Sequence, residues 1–183
     1  MQSPSPWVPE QSAPNRPDAA PVRADVEARL TPELASVVSA ARRRAHRDGD
    51  HQIDTAHLLH SLLETDPEVR AAFDGGPQLA RVLGYLVQRS IGYGLRWQGT
   101  VEDSGAVPVV REHAVTGWSP PAVTAMASAL ERAARRGEPL AGGLDLLAAL
   151  AADRECRAVD VLERAGVDAR SLAGKLSGTP RSV

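Results

Sequence analysis

Apolar residues recur three or four positions apart along most of the chain, and glycine- or proline-rich punctuation separates the runs. The first clear run carries Leu34, Val37, Val38, Ala41 and Ala45. Thr31-Pro32-Glu33 precedes it: a hydroxyl to cap the free N–H groups, a proline where its missing N–H costs nothing, and an acid at the positive end of the dipole. Gly49 supplies the stop. Thr55 is expected to cap a second helix with Leu58, Leu59, Leu62 and Leu63, and Asp66-Pro67-Glu68 starts a short third through Val69 and Phe73. Pro77 opens a fourth, with Leu79, Val82, Leu83, Leu86 and Val87 on one face. The periodicity lapses over residues 92–117. Glycines, Pro108 and the turn-like Glu102-Asp103-Ser104-Gly105 mark a connector there, with a short hairpin expected around Arg96 to Thr100 and Val107 to Val110. Ser119-Pro120 then starts a helix again.

What returns after the connector is the same pattern. Moved by 88 positions, Pro32 falls on Pro120, Arg44 on Arg132, Arg47 on Arg135 and Gly49 on Gly137, while Leu58, Leu59 and Leu62 fall on Leu146, Leu147 and Leu150. Thr31 falls on Ser119, which keeps the capping chemistry. With a one-residue slip Asp66, Glu68 and Arg70 meet Asp153, Glu155 and Arg157, and after a further gap Leu79 and Leu83 meet Leu172 and Leu176. Starts, stops and core positions recur together, which an alanine-rich composition alone does not produce. A helical unit with one apolar face cannot bury that face by itself, so two copies clasping each other is the expected solution. The predicted fold is all-α: a duplicated four-helix repeat of about eight helices about a pseudo-two-fold axis. Repeat one is expected over 27–91, the connector over 92–117 and repeat two over 118–177, within an ordered region of 26–178.

Composition narrows the picture. Aromatic residues are only 3% of the chain, so the core must be Leu, Val and Ala, which suits close-packed helices better than strands. Residues 1–25, rich in Pro, Ser, Ala and Gln, read as a disordered arm. Its opening carries neither a charged nor an apolar signal region, and no stretch approaches the roughly 18 apolar residues of a membrane span. The single cysteine, Cys156, excludes an internal disulfide. A cytoplasmic, soluble chain is expected. A net charge of −2 offers neither a nucleic-acid track nor a membrane-binding patch. Arg42-Arg43-Arg44 with Arg47 reads as a solvated helix face.

The duplicated pattern resembles the Clp N-terminal domain, the helical double module that precedes the ATPase rings of ClpA- and ClpC-type unfoldases. Leu30-Thr31-Pro32, Gly49 and Asp54-Thr55-Ala56-His57-Leu58-Leu59 are similar to that family's aromatic-Thr start and its Gly-Thr-Glu-His-Leu-Leu segment. Trp118-Ser119-Pro120 resembles the start of its second copy, and the run Val161 to Asp168 its closing Leu…Gly-Val-Asp. The resemblance covers roughly residues 27–177. It departs where the family glutamate is Ala56, and Leu144 in copy two, and where the second histidine is Asp145. In some ClpC proteins those glutamates help bind phosphorylated arginine, so that activity is not expected. With no Gly-x-x-x-x-Gly-Lys-[Ser/Thr] loop anywhere, a stand-alone module without a motor is expected.

The resemblance implies a protein- and peptide-binding module with no catalytic residues, no cofactor and no metal. The implied partners are Clp unfoldase components, substrate or adaptor peptides, and cyclic peptides. By position, the implied binding residues are Leu30, Thr31, Ala35, Val38 and Arg42 from copy one and Trp118, Ser119 and Val123 from copy two. Trp118 admits two placements, an amphipathic ring at a groove or a core plug between the copies. The residues themselves offer little other chemistry. Cys156 has no His or Asn at a protease spacing and reads as a small apolar thiol on a helix face. His46, His51, Asp54, His57 and His60 cluster in sequence, as zinc ligands can. Copy two has no matching set, so structural or solvated histidines are expected instead.

Overall fold

The computed structural model describes residues 25–91, 102 and 117–178. After a helical turn at 25–27, copy one comprises α1 (Pro32–Asp48), α2 (Thr55–Thr65), α3 (Pro67–Ala71) and α4 (Gly76–Ser90). Copy two comprises α5 (Pro120–Arg135), α6 (Gly143–Ala152), α7 (Arg157–Arg164) and α8 (Ala169–Gly178). The described residues are therefore all-α, as the periodicity predicts. None of these helices is long and apolar enough to cross a membrane. The arm as far as residue 24 and the expected hairpin lie outside the described residues.

The start signals act as capping chemistry requires. Thr31 Oγ1 accepts from Leu34 N at 3.2 Å, and Ser119 Oγ from Ala122 N at 3.3 Å. Gly49 and Gly137 end α1 and α5 at φ 75° and 76°, a left-handed conformation in which a Cβ would be strained. Between these ends α1 lies on α2 and α5 on α6, and the paired leucines Leu58, Leu59, Leu62, Leu146, Leu147 and Leu150 are all fully buried. On α4 the predicted apolar face is too wide. Val82 and Leu86 are buried, whereas Val87 is 49% exposed, because a step of one residue turns it about 100° off the buried stripe.

The copies are joined by two short parallel bridges. Leu30 pairs with Ala141 and Trp118 with Ile53. Thr31 N donates to Ala141 O at 2.9 Å and Ala141 N to Arg29 O at 2.9 Å; Ile53 N donates to Gly117 O at 2.7 Å and Ser119 N to Ile53 O at 2.9 Å. Each residue of one bridge lies 88 positions from its counterpart in the other, so a single approximate dyad generates both. Each copy's chain thus runs into its first helix beside the approach to the other copy's second helix. The same axis relates the packing of α3 on α6 to that of α7 on α2.

Contact at the first of these junctions is close. A Cβ on Gly143 would stand 2.1 Å from Asp66 Oδ2 and 3.0 Å from Val69 Cγ2. Asp66 cannot swing aside cheaply, since its other oxygen caps α3 by accepting from Glu68 N and Val69 N. At the dyad-related junction the residue is Thr55, whose hydroxyl accepts from Ala158 N at 3.1 Å.

Candidate binding seam between the two copies

Glu102 is the point where the dyad is broken. The turn-like stretch marks only a connector, yet Glu102 is 4% exposed and sits between the copies. Its carboxylate accepts from Thr55 N at 2.9 Å, the Thr55 hydroxyl, the Ser119 hydroxyl at 2.6 Å and Arg157 N at 2.8 Å. Thr55 and Arg157 are the first residues of α2 and α7, so two helix N-termini converge on one anion, whose charge the exposed peptide N–H groups favour. A carboxylate from the connector thereby fastens both copies. No sequence signal marks it, because its partners stand 47, 17 and 55 positions away.

Beside it lies a chain of buried charges. Asp54 Oδ2 accepts from Arg157 Nη1 at 2.7 Å, across the seam, and from Arg89 Nη2. Asp54, rather than the expected Thr55, caps α2, its Oδ1 accepting from His57 N at 2.8 Å, while Thr55 is the first helical residue. Burial works against its charged form, but the hydrogen bond and charge of His57 and the charge of Arg89 prevail and hold the carboxyl well below the usual range. His57 is fully buried. Its Nδ1 is 3.1 Å from Asp54 N and 2.8 Å from Asp54 Oδ1, so one ring nitrogen faces a donor and an acceptor of the same residue. Its Nε2 points toward Asp48 and Asp50. Sequence reasoning singles out Asp54 and His57 but misses Arg89, Arg157, Asp48 and Asp50, since nothing in their local pattern signals that they meet.

The resemblance-derived binding residues divide into two sorts. Leu30, Val38 and Ser119 are buried, and Ser119 is fully engaged as cap and as donor to Glu102. Thr31, Ala35, Arg42, Trp118 and Val123 keep partial exposure. Ala35 and Trp118 pack against the core from its edge, and Arg42 pairs with Glu27 at 3.5 Å. Trp118 is therefore neither a full plug nor a free ring: its backbone bridges Ile53 while its side chain stays half-buried.

The remaining candidates settle into structural positions. Cys156 is not on a helix face but is the residue before α7, with its thiol donating to Leu150 O at 3.4 Å. Burial, with the negative charges of Asp153 and Glu102 adding to it, pushes this thiol up to about 12, the reverse of an activated nucleophile. His46 and His51 are exposed, whereas His60 is buried and lowered to about 4 by burial and the charge of Arg44.

Compared by sequence, the chain matches no family model and no curated protein. Compared by structure, it is similar to the N-terminal domain of the caseinolytic-protease-associated chaperone ClpD from Arabidopsis thaliana, with a TM-score of 0.58 and 17% identity over 82% of this chain and 94% of that one. It is also similar to a chain from structural investigations of a malarial protein secretion system, with a TM-score of 0.56 and 14% identity over 81% and 92%. The bridged, duplicated helical architecture of this chain is a Clp N-terminal domain-like fold.

Proposed function

We propose that this chain is a non-enzymatic protein- and peptide-binding module of the Clp unfoldase–protease system, acting in the cytoplasm as an adaptor or as a decoy that shares ligands with the unfoldase. The observation that carries this reading is the pair of dyad-related helix starts, each clamped by a bridge to the opposite copy yet leaving Thr31, Ala35, Trp118 and Val123 partly exposed. A rigid backbone beneath exposed apolar and hydroxyl groups lowers the ordering cost of docking a peptide. Among these, Trp118 offers the largest contact area at the least loss of side-chain freedom. Leu30, Val38 and Ser119 act from beneath, holding that surface in place, and Arg42 adds charge at its margin.

The test is capture of Clp unfoldase subunits and of an unfolded substrate peptide by the purified chain, alongside Trp118→Ala. Binding by the wild-type chain is expected, weakened about tenfold or more by Trp118→Ala, as truncation of an interface anchor does. Capture of neither ligand sinks the reading. The same half-buried ring favours a second reading, sequestration of cyclic peptides that target Clp N-domains; Trp118-dependent binding of a cyclic peptide without capture of a Clp subunit would select it.

A further inference from the structure

In copy two, one cation bridges two acids. Arg136 donates to Asp145 Oδ1 at 2.6 Å and to Glu138 Oε2 at 2.8 Å. The residues 88 positions earlier are Asp48, His57 and Asp50. The position of the guanidinium has become a carboxylate, and three groups able to ligate a metal face one another. One ligand atom from each of Asp48, Asp50 and His57 lies within 4.8 Å of the others. His57 Nε2 stands 3.2 Å from Asp50 Oδ2 and 3.5 Å from Asp48 Oδ2. Ligand atoms about 2.0–2.1 Å from a tetrahedral zinc ion are separated by roughly 3.3 Å, the spacing of these two edges. The ring is wholly buried, yet Nε2 has no hydrogen-bond partner among the described residues. A buried polar atom left in this state calls for an occupant.

We propose that Asp48, Asp50 and His57 bind a divalent transition-metal ion, with zinc the best match to one imidazole and two carboxylates. The Asp48 and Asp50 side chains keep 13% and 25% exposure, which gives the ion a path from solvent and leaves a fourth position for water. Coordination through Nε2 places the ring proton on Nδ1, so Asp54 N, which donates to Nδ1 at 3.1 Å in the metal-free chain, gives up that bond and Asp54 Oδ1, 2.8 Å from Nδ1, takes the proton instead; a carboxylate behind a ligating imidazole fixes its tautomer. The groups already touching the ligands are compatible with this. Ser90 Oγ donates to Asp48 Oδ2 at 3.1 Å and orients that carboxylate. Arg89 Nη2 donates to Asp50 Oδ2 at 3.1 Å, and its Nη1 lies 3.9 Å from Asp48 Oδ2, so the guanidinium serves as countercharge in the absence of metal. When the ion binds, Arg89 gives up Asp50 and retains Asp54, its other partner.

The full chain, stripped with a chelator, is titrated with zinc by calorimetry and with cobalt by visible absorption. One tight equivalent of zinc and the intense visible bands of four-coordinate cobalt are expected. Asp48→Asn and Asp50→Asn, at partly exposed positions that tolerate an isosteric change, should each weaken zinc at least tenfold while circular dichroism shows the helices intact. His46→Gln and His51→Gln, which alter exposed histidines outside the cluster, should leave it unchanged. The proposal is overturned by the absence of a zinc equivalent, by binding that survives the Asp48→Asn, Asp50→Asn double variant, or by binding that disappears with His46 or His51.

Discussion

Copy one closes the approach to α2 with Asp48, Asp50, Asp54 and His57; copy two closes the approach to α6 with Arg136, Glu138, Gly142 and Asp145. The backbone is the same in both, down to the bridge that ends each approach. In copy two the ionic unit is local and reaches solvent. Arg136 holds two acids within nine positions, its side chain is 31% exposed, and Asp145 accepts from Gly142 N at 3.0 Å to complete the helix start. In copy one the unit is larger, deeper and tied to the other half of the molecule through Arg157. A duplicated fold therefore keeps its main-chain scaffold while one copy turns the same location into a buried, multiply charged centre. Geometry is conserved between the halves where backbone groups set it, and chemistry diverges where side chains alone decide.

The difference in depth gives the largest expected effect. Removing one member of a buried, hydrogen-bonded charge set strands the others, which typically costs about 3–5 kcal/mol. Asp54→Ala takes a carboxylate partner from both Arg157 and Arg89 and removes the side-chain cap of α2, so a loss of about 4 kcal/mol is expected by urea denaturation. Arg136→Ala in copy two should cost less, about 2 kcal/mol, because water reaches the guanidinium although its partner Asp145 is buried. Equal losses would show that the two centres carry the same burden, and the contrast between the copies would fail.

His60 sharpens the comparison through pH. Its counterpart 88 positions on is Ala148, also buried, so only copy one carries a titratable ring at this place. Burial and Arg44 lower His60 to about 4, against 6.5 for a free histidine. Between these values the unfolded chain binds a proton that the folded chain refuses, so stability is full above about 6.5 and falls as the pH drops toward 4. The slope at its steepest is about 1.4 kcal/mol per pH unit. Asp54, also depressed, adds a loss at still lower pH, below its ordinary value of 3.8. His60→Ala, which gives copy one the residue of copy two, should flatten the upper part of the profile and leave the lower part. Thermal melts across pH 4 to 7 check this; an unchanged slope would mean that another group carries the titration.

How much of this was legible in the sequence follows the same division. Helix starts at Thr31 and Ser119, stops at Gly49 and Gly137, and the paired leucines are written locally, because capping, left-handed φ and helical periodicity act over three or four residues. Those signals recovered the repeat and through it the fold. The seam was not legible in that way. Glu102 stands in a stretch whose composition reads as a turn, and its burial depends on Thr55, Ser119 and Arg157 meeting in space. Arg157 looks like its repeat partner Arg70, yet it crosses to Asp54 while Arg70 donates to the carbonyls of Leu63 and Glu64. Val87 shows the opposite error, in which the period placed a residue on the core face and the packing of α4 left it out. Of the residues implied to bind, the pattern locates the helix ends but does not separate supporting side chains such as Val38 from partly exposed ones such as Val123.

The smallest difference between the copies is expected at their helix stops, where sameness rather than difference is tested. Gly49 and Gly137 end their helices at nearly identical angles, and a Cβ at either site would meet nothing within 4 Å. Substitution by alanine therefore costs only the left-handed conformation itself, about 1–2 kcal/mol at each site. Gly49→Ala and Gly137→Ala should lower the denaturation midpoint by equal amounts, and the double variant by their sum, since the two turns share no partners. Unequal losses would place a further interaction at one of the turns. The nearer suspect is Gly49, which lies between Asp48 and Asp50, where a strained turn would move both carboxylates away from His57.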